Sequence, residues 1–572
     1  MYKQPRTTDG RVKVLNIIVL ALAGIFCFRL FDLQVTQNSH YVALAQSQQQ
    51  FEKTQIAHRG EIYVHDSVSD PTAYYPLAFD IKKYSILVVP MQVVDKLNLS
   101  KELAPLLGLN QMDIYGKINN NKSYIPPLKT GMTYEEAKVV NDKHFQGLLI
   151  VPVYSRFYPE SQLASQLLGF VNADGEGNYG IEGKYNDVLK GKDGSITGEK
   201  DTYGRIISML SQRAPENGTS YVLTIDRSVQ YFVEKTLAAG IEKYGAKSGS
   251  VIVMDVKTGG ILAMASNPSF DPNNYSKTAT ENASLFINPV TSMVYEPGST
   301  MKPLVMAGAI EQGIVTPETK GTFAESVKVG QYTIETAERK AFGEETMTQV
   351  LENSDNVAMV WLSEQMGSEM MYKYLDAFGL MEKTGTQLNN EVAGTIPLLK
   401  NWRDINRATI SFGQGASVTP MQLLTAYSAF ANKGVIIEPH IIDKTIYSNG
   451  EVKQAVREEG KRAITEETAG KVLRMLQAVT EHGSAMAARV PGFNIGAKSG
   501  TAQVPDPKGG YDTKKSIHSL AGVAPTEDPR FVMLVKIDEP TSARFSSSTA
   551  SPLFGQIASF LLNYYYRLTP IN

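Results

Sequence analysis

Residues with strand character lie near both ends of the C-terminal half of this chain, with mostly helical sequence between them. Residues 251–254 and 261–264 are apolar runs joined by a short turn with two glycines, which predicts a β-hairpin. Residues 519–523 and 531–537 predict two more strands, and residues 553–564 predict a closing helix. This order constrains the fold, because it indicates one antiparallel sheet that joins both ends of the region around a helical lobe.

The chain is too long for one hydrophobic core, since 572 residues favour two or three domains. Residues 36–215 are strand-rich and carry no catalytic constellation, and a polar, turn-rich stretch at 213–218 marks a boundary. Beyond it, residues 221–225 predict a strand that is followed by apolar residues at helical spacing. We therefore predict three regions, namely residues 1–35, 36–215 and 216–572.

Three polar motifs follow one another in the last region: Ser299-Thr300-Met301-Lys302, Ser354-Asp355-Asn356 and Lys498-Ser499-Gly500-Thr501. Each motif alone is weak, because S-x-x-K arises by chance about once or twice in a chain this long. Together they supply a serine nucleophile, amines to activate it, a hydroxyl to relay protons and an amide to hold a peptide. Their order and types indicate an acyl-transfer enzyme.

The first motif is predicted at the start of a buried helix. A Pro-Gly pair precedes Ser299, and Pro303 is tolerated only near a first helical turn, so a helix is expected to begin at about Ser299. Lys302 then lies on the same face, one turn away. Residues 304–310 are apolar on every side, which indicates a helix buried all round. The Ser299 N–H and the helix dipole can both face the oxyanion of a tetrahedral intermediate.

The three motifs contain no histidine, so the candidate base for Ser299 is Lys302. It must be neutral to act, and burial together with the like charge of Lys498 would lower its pKa in that direction. Apolar neighbours place the Ser354 motif beside buried surface, where its polar groups need partners. The alternatives are structural: a capped, solvent-facing helix start for the first motif and an ordinary loop for the second.

The third motif is predicted on an edge strand that lines a cleft. Gly500 allows close backbone approach, so an extended peptide could add alongside as an extra strand. The N–H of Thr501 could complete the oxyanion hole. The structural alternative is an exposed strand that ends in a lysine.

The N-terminus predicts a membrane anchor. Residues 14–28 form an apolar run, and basic side chains precede it at Lys3, Arg6, Arg11 and Lys13. This pattern predicts one transmembrane helix with the N-terminus in the cytoplasm and the remainder outside. A cleaved signal peptide is the alternative, although the apolar run continues past the possible cleavage site at 21–23. The only cysteine, Cys27, lies in the proposed span, so disulfides and thiolate metal sites are excluded from the exported part.

The motifs and their surroundings resemble those of class B penicillin-binding proteins, which are monofunctional peptidoglycan D,D-transpeptidases. The resemblance covers nearly the whole chain and rests on residues 29–30, 33–35, 59–60, 156–159, 169, 180–182, 295–303, 411–415, 419–422 and 498–503. It implies an α+β protein with an N-terminal transmembrane helix and an elongated, strand-rich pedestal or dimerisation domain. A transpeptidase domain similar to serine β-lactamases would follow, with a central antiparallel sheet flanked by helices.

The resemblance also implies roles for the motif residues. Ser299 would be the acylated serine, Lys302 its base and Ser354 the proton relay. Asn356 would bind the substrate amide, Lys498 would be an electrostatic partner and carboxylate anchor, and Thr501 would contact the substrate and the oxyanion. Ser499 and Gly500 complete the expected substrate-binding strand, with Ser499 where the family has threonine. No metal or other cofactor is expected.

The implied substrate is a peptidoglycan stem peptide that ends in D-Ala-D-Ala, and β-lactams would mimic it. Further expected partners are a SEDS-type glycan polymerase and other cell-wall machinery at the bacterial cytoplasmic membrane. Nucleic acid is not expected, because the formal net charge of −2 offers no basic excess. Two alternatives stay open: a serine β-lactamase or β-lactam sensor, and a scaffold that activates a glycan polymerase without its own chemistry.

Overall fold

The computed structural model describes residues 9–42, 50–67, 70–122, 124–200, 206–456, 460–506 and 509–567. Lys3 and Arg6 of the predicted basic flank lie outside these ranges. The chain divides into two compact units, Met1–His58 with Gly191–Asn217, and Arg59–Lys190 with Gly218–Asn572.

The described residues form α-helices α1 (Asp9–Phe31), α2 (Lys96–Leu107), α3 (Gln111–Ile118), α4 (Tyr134–Asn141), α5 (Ser165–Leu168), α6 (Gly180–Lys184), α7 (Asn186–Lys190), α8 (Arg227–Tyr244), α9 (Tyr275–Asn282), α10 (Pro289–Ser292), α11 (Lys302–Glu311), α12 (Met347–Asn353), α13 (Asn356–Met366), α14 (Ser368–Ala377), α15 (Asp404–Ser411), α16 (Pro420–Ala431), α17 (Glu466–His482) and α18 (Ala550–Phe560).

The strands are β1 (Gln50–Gln55), β2 (Ile62–Ser67), β3 (Asp70–Val88), β4 (Lys129–Met132), β5 (Leu148–Phe157), β6 (Phe170–Val171), β7 (Gly177–Asn178), β8 (Gly194–Lys200), β9 (Ile206–Arg213), β10 (Ser220–Asp226), β11 (Ser248–Asp255), β12 (Ile261–Asn267), β13 (Lys320–Phe323), β14 (Ser326–Val329), β15 (Tyr332–Glu335), β16 (Gly343–Thr346), β17 (Ile442–Ile446), β18 (Val452–Gln454), β19 (Gly496–Pro505), β20 (Tyr511–Ala524) and β21 (Phe531–Asp538).

The first unit contains the apolar helix and a small sheet. Helix α1 and the helical turn after it are long and apolar enough to cross a membrane, over Gly10–Thr36. Arg29 near the end of α1 pairs with Asp32 at 2.8 Å. In the sheet, β8 pairs antiparallel with β1 on one side and β9 on the other. The helix therefore fits the predicted single-pass anchor.

In the second unit, a mixed sheet has the strand order β18-β17-β10-β2-β3-β4, and β5 also pairs with β3. The strand predicted at 221–225 is present as β10, which runs parallel to β2 and antiparallel to β17. Helices α2, α3 and α4 bury their apolar faces beside β3 in a separate small core that includes Ile86, Leu103 and Ile114. This strand-rich part matches the pedestal expected from the resemblance.

A network of ion pairs joins four segments of this strand-rich part. The Arg59 side chain donates to Glu182 from Nε at 2.8 Å, and Arg156 Nε donates to the other oxygen of Glu182 at 2.6 Å. Tyr158 also donates to Glu182, and Asp80 lies 3.6 Å from Arg156. Burial lowers the pKa of Arg156, but Glu182, Tyr158 and Asp80 together outweigh burial and the net shift is upward. Each buried cation here therefore has a carboxylate partner.

The central sheet has the order β12-β11-β21-β20-β19, and every neighbouring pair is antiparallel. The predicted hairpin, the two late strands and the closing helix are all present. Helices α8 and α18 pack together beside this sheet, where Phe232 stacks on Phe560 with ring centroids 4.1 Å apart. Gly240 on α8 lies close to Leu553 on α18, where a Cβ atom would come within 2.6 Å of the leucine side chain. The early and late parts of the chain thus form one layer, as expected.

Helix α11 is the core of the helical lobe. All of Lys302–Ile310 is buried, and α11 contacts α14, α13 and α17. Each buried Leu, Val or Met side chain contributes about 2 kcal/mol of hydrophobic stabilisation, so this helix is held firmly in place. The prediction of a helix buried all round is confirmed.

Candidate active site

Ser299 lies in a tight helical turn that leads into α11. Gly298–Met301 form a 3₁₀ turn, and Pro303 occupies the first turn of α11. Gly298 has φ +57°, a left-handed conformation that favours glycine, and its N–H donates to Gly413 O at 3.0 Å. The helical path thus begins within one residue of Ser299, as predicted, although its first turn is the tighter 3₁₀ form.

Two side-chain hydrogen bonds hold this turn in place. Thr300 Oγ1 donates to Pro297 O at 2.8 Å, and the buried Tyr427 hydroxyl donates to Thr300 O at 2.8 Å. Gly500 lies against the same turn, because a Cβ atom on it would come within 2.8 Å of Pro297 O. The absence of a side chain at Gly500 therefore lets the turn that carries Ser299 pack against β19.

Lys302 is fully buried, and its ammonium nitrogen faces the second motif. Lys302 Nζ donates to Ser354 O at 2.6 Å and to Asn356 Oδ1 at 2.8 Å, and lies 3.3 Å from Ser354 Oγ. Burial, followed by the like charge of Lys498, holds the pKa of Lys302 well below its usual range. The structure thus places this amine where the neutral form is favoured.

The Ser354 motif forms a strained turn between α12 and α13. Ser354 has φ +58°, in the left-handed region that costs a non-glycine residue about 1 kcal/mol or more. Asp355 caps α13 through Oδ1, which accepts from Val357 N at 2.6 Å and from Ala358 N at 3.1 Å. The cap and the turn together aim Ser354 and Asn356 at Lys302.

Lys498 reaches the same serine from the other side. It lies on β19, the edge strand of the central sheet, as predicted, and is fully buried. Its Nζ donates to Ser354 Oγ at 3.0 Å and to Ser499 O at 3.0 Å. Burial lowers the pKa of Lys498 to about 7. The Ser354 hydroxyl therefore lies between two buried amines and can pass a proton between groups near them.

Two further serines complete the surroundings of β19. Ser499 Oγ donates to Ser484 Oγ at 2.8 Å, and Ser484 Oγ lies 3.4 Å from Lys498 Nζ. Thr501 Oγ1 accepts from Ser546 N at 3.0 Å and lies 3.2 Å from Ser546 Oγ. Sequence patterns did not single out Ser484, because it lies after α17 in an ordinary turn with no motif around it.

The structure brings the three motifs to one place. Lys302, Ser354, Asn356, Lys498 and Ser499 are linked through direct hydrogen bonds and Ser484, and Ser299 lies one turn before Lys302. Within the described ranges, the hydrogen-bond acceptors that surround both amines are neutral oxygens. An unpaired buried amine favours its neutral, basic form, so the site can deprotonate a hydroxyl.

Known families match both halves of the chain. Residues 249–559 match the penicillin binding protein transpeptidase domain, and residues 54–223 match the penicillin-binding protein dimerisation domain. The chain is a class B penicillin-binding protein. It is 32% identical to the penicillin-binding protein PbpB of Mycolicibacterium smegmatis, over 96% of this chain and 89% of that protein. It is also 32% identical to the peptidoglycan D,D-transpeptidase FtsI of Escherichia coli K12, over 85% of this chain and 81% of that protein.

Solved structures of penicillin-binding proteins share this fold. Penicillin binding protein 3 of Mycobacterium tuberculosis, complexed with aztreonam, has a TM-score of 0.70 at 27% identity and covers 91% of this chain and 98% of that one. Penicillin binding protein 2X of Streptococcus thermophilus has a TM-score of 0.74 at 25% identity, over 90% of this chain and 80% of that one. The resemblance drawn from the motifs is confirmed over nearly the whole chain of this penicillin-binding protein.

Proposed function

We propose that this protein is a membrane-anchored D,D-transpeptidase that cross-links peptidoglycan stem peptides through an acyl-enzyme on Ser299. The observation that carries the proposal is the Ser354 hydroxyl, placed between the amines of Lys302 and Lys498 at 3.3 and 3.0 Å. The relative named peptidoglycan D,D-transpeptidase FtsI supports the same reaction. In an acyl transfer without a histidine, a neutral amine can take the proton of the serine nucleophile, here Ser299.

In the acylation half, neutral Lys302 takes the proton of Ser299 Oγ while that oxygen attacks the carbonyl carbon of the penultimate D-Ala. The backbone N–H groups of Ser299 and Thr501 stabilise the oxyanion. The carbon–nitrogen bond then breaks, and the proton passes through Ser354 Oγ to the amine of the departing D-Ala. The result is an ester on Ser299 and a free amino acid.

In the second half, an amine from a neighbouring stem attacks the ester. Its proton passes back through the same groups to Ser299 Oγ, the carbon–oxygen bond breaks and the cross-linking amide forms. A β-lactam acylates Ser299 in the same way, but its opened ring stays attached and blocks the approach of the acceptor amine. This accounts for the long-lived adduct that we expect with penicillin.

The substrate peptide is proposed to lie along β19. This strand ends the sheet order, so an extended peptide can pair with the backbone at Gly500 and Thr501. Asn356 binds a substrate amide, and Lys498 with the Ser499 hydroxyl attracts the terminal carboxylate. These roles place Asn356 and the residues of Lys498–Thr501 along the D-Ala-D-Ala end.

Mass spectrometry of the intact full-length protein after exposure to penicillin tests this function. We expect one stable adduct that maps to the Ser299 peptide, and none in Ser299→Ala. Ser276→Ala, on the exposed side of α9, is the matched control and should be labelled like the wild type. An adduct on Ser299→Ala would overturn the assignment, and rapid hydrolysis of the drug would favour a β-lactamase.

We further propose that α1 crosses the cytoplasmic membrane once, with the N-terminus inside and the catalytic unit outside. Arg11 and Lys13 at the start of α1 support this orientation, because basic flanks stay on the cytoplasmic side. A membrane-impermeant thiol reagent distinguishes the two orientations in cells. It should label a cysteine introduced at exposed Ser276 and leave one introduced at Gly10 unlabelled.

A SEDS-type glycan polymerase is the proposed membrane partner, on the strength of the resemblance to the class B family. If activating that enzyme were the essential role, Ser299→Ala would restore growth to depleted cells. We expect no restoration, because the complete set of catalytic residues indicates that the chemistry is needed.

A further inference from the structure

A second carboxyl group lies buried behind the Ser354 turn, outside the three motifs. Glu345 on β16 is 2% exposed, and Asp355 is fully buried. Their carboxyl groups lie within hydrogen-bonding reach of each other. Asn353 Nδ2, at the end of α12, donates to Glu345 Oε1 at 2.7 Å. The pair therefore connects a strand to the junction of two helices, next to Lys302.

Each of these carboxyl groups has one buried oxygen without a partner. Among the described residues, Glu345 Oε2 and Asp355 Oδ2 are both shielded from solvent and neither receives a hydrogen bond from an N–H or a hydroxyl group. Leaving a buried acceptor unsatisfied is costly, and placing two negative charges side by side is more so. One proton held between the two oxygens removes both problems at once.

The surroundings decide which carboxyl group carries that proton. Asp355 already has two donors, because its Oδ1 accepts from two backbone N–H groups. Glu345 receives a single donor, from Asn353. Burial, together with the negative charge of Asp355, raises the pKa of Glu345 to about 7, although Lys302 and Asn353 act in the opposite direction.

We propose that Glu345 is a positioning residue for acylation, a protonated acid whose Oε2–H donates to Asp355 Oδ2 and so holds the Ser354 turn against Lys302. The pair then carries one negative charge instead of two. Because negative charge on either carboxylate would favour the ammonium form of Lys302, the proton on Glu345 also helps to keep that amine neutral. This inference rests on the proposed function only for its kinetic consequence.

Infrared spectroscopy of the full-length protein tests the protonation directly. At pH 6 we expect the C=O stretch of a protonated carboxylic acid, and we expect Glu345→Gln to lack that contribution. The band should weaken as the pH rises through about 7. Glu344→Gln, the exposed neighbour on the same strand, is the matched control and should keep the band. The proposal would be overturned if the wild-type spectrum lacked this C=O band, or if the band were unchanged in Glu345→Gln.

Acylation by penicillin tests the positioning role. Glu345→Gln keeps a donor for Asp355 and an acceptor for Asn353, so its acylation rate should stay within about threefold of wild type. Glu345→Leu removes the donor, and its rate should fall by roughly ten- to a hundredfold. Equal loss in both variants would reject the proposal. If neither the wild type nor any variant is acylated, the proposed function is wrong. The infrared band then still shows whether Glu345 is protonated.

Discussion

Two groups of buried cations in the second unit have opposite surroundings. Arg59 and Arg156 share Glu182, with Nε-to-oxygen distances of 2.8 and 2.6 Å. Lys302 and Lys498 instead share the hydroxyl of Ser354, and their hydrogen bonds within the described part of the chain go to neutral oxygens. The pKa of Arg156 is raised, whereas the pKa values of both lysines are lowered.

This difference in surroundings indicates a structural role for the buried arginines and a chemical role for the buried lysines. A buried cation with a carboxylate keeps its charge and links distant segments of the chain. A buried amine without a carboxylate loses its proton easily and becomes a base. Arginine suits the structural positions because a guanidinium cannot give up its proton. Lysine suits the chemical positions because its amine can.

The largest effect is expected for Lys302→Met, which removes the proposed base and keeps an unbranched side chain one atom shorter. Acylation by penicillin should slow by about 10⁴-fold or more, since the serine loses its activation. Stability should change by less than about 2 kcal/mol, because the lost hydrogen bonds are offset by the relief of a desolvated amine. Acylation kinetics and denaturant titration of the same samples measure both effects. A variant with wild-type acylation would exclude Lys302 as the base.

The opposite pattern is expected for Glu182→Gln. The change leaves Arg59 and Arg156 buried without their shared carboxylate, so the free energy of unfolding should fall by about 3–5 kcal/mol. Folded molecules should be acylated at the wild-type rate, because the network lies outside the catalytic motifs. Glu216→Gln, which removes an exposed carboxylate paired with Lys192, is the control and should leave the denaturation midpoint nearly unchanged. If Glu182→Gln had the same free energy of unfolding as the wild type, the carboxylate would not be needed by Arg59 and Arg156, and the proposed difference between the arginines and the lysines would be wrong.

The smallest effect is expected in the pH dependence of stability. Ser484→Asp would give Lys498 a carboxylate neighbour, as Arg59 and Arg156 already have in Glu182. The pKa of Lys498 is about 7 in the folded protein and 10.5 in the unfolded chain, so between these values the unfolded chain holds more protons. Stability should therefore rise with pH across this window, by up to about 1.4 kcal/mol per pH unit for this one group. An aspartate beside Lys498 raises its folded pKa and should flatten the rise.

Denaturant titrations from pH 7 to 10 measure this slope, with Ser484→Asn as the control of similar size and no charge. The control should keep the wild-type slope. If Ser484→Asp and Ser484→Asn have the same slope, Lys498 is not the group responsible.

Much of the sheet and the nucleophile turn could be predicted because their signals are local. Apolar runs that end at glycines define β11 and β12, and the Pro-Gly pair with Pro303 defines the start of α11. The place of β10 was not predictable in this way. Its pairing with β2 and β17 depends on residues far away in the chain, and its own sequence shows only that it is a strand.

The residues of the candidate site also fall into those with a local sequence signal and those without one. Ser299, Lys302, Ser354 and Lys498 stand in motifs whose spacing reports their chemistry. Ser484 and Glu345 have no such spacing, because each reaches the site through a contact formed only when separate elements pack. A buried glutamate on a short strand looks like any surface charge until its neighbours are known.

The order of the central sheet has a consequence for synthesis of the protein. Strand β21, among the last to be made, lies between β11 and β20. A chain that stops before Phe531 already holds the serine and both lysines, yet it lacks the strand that pairs with both β11 and β20. The five strands of the central sheet can therefore form one layer only after this late strand has been made.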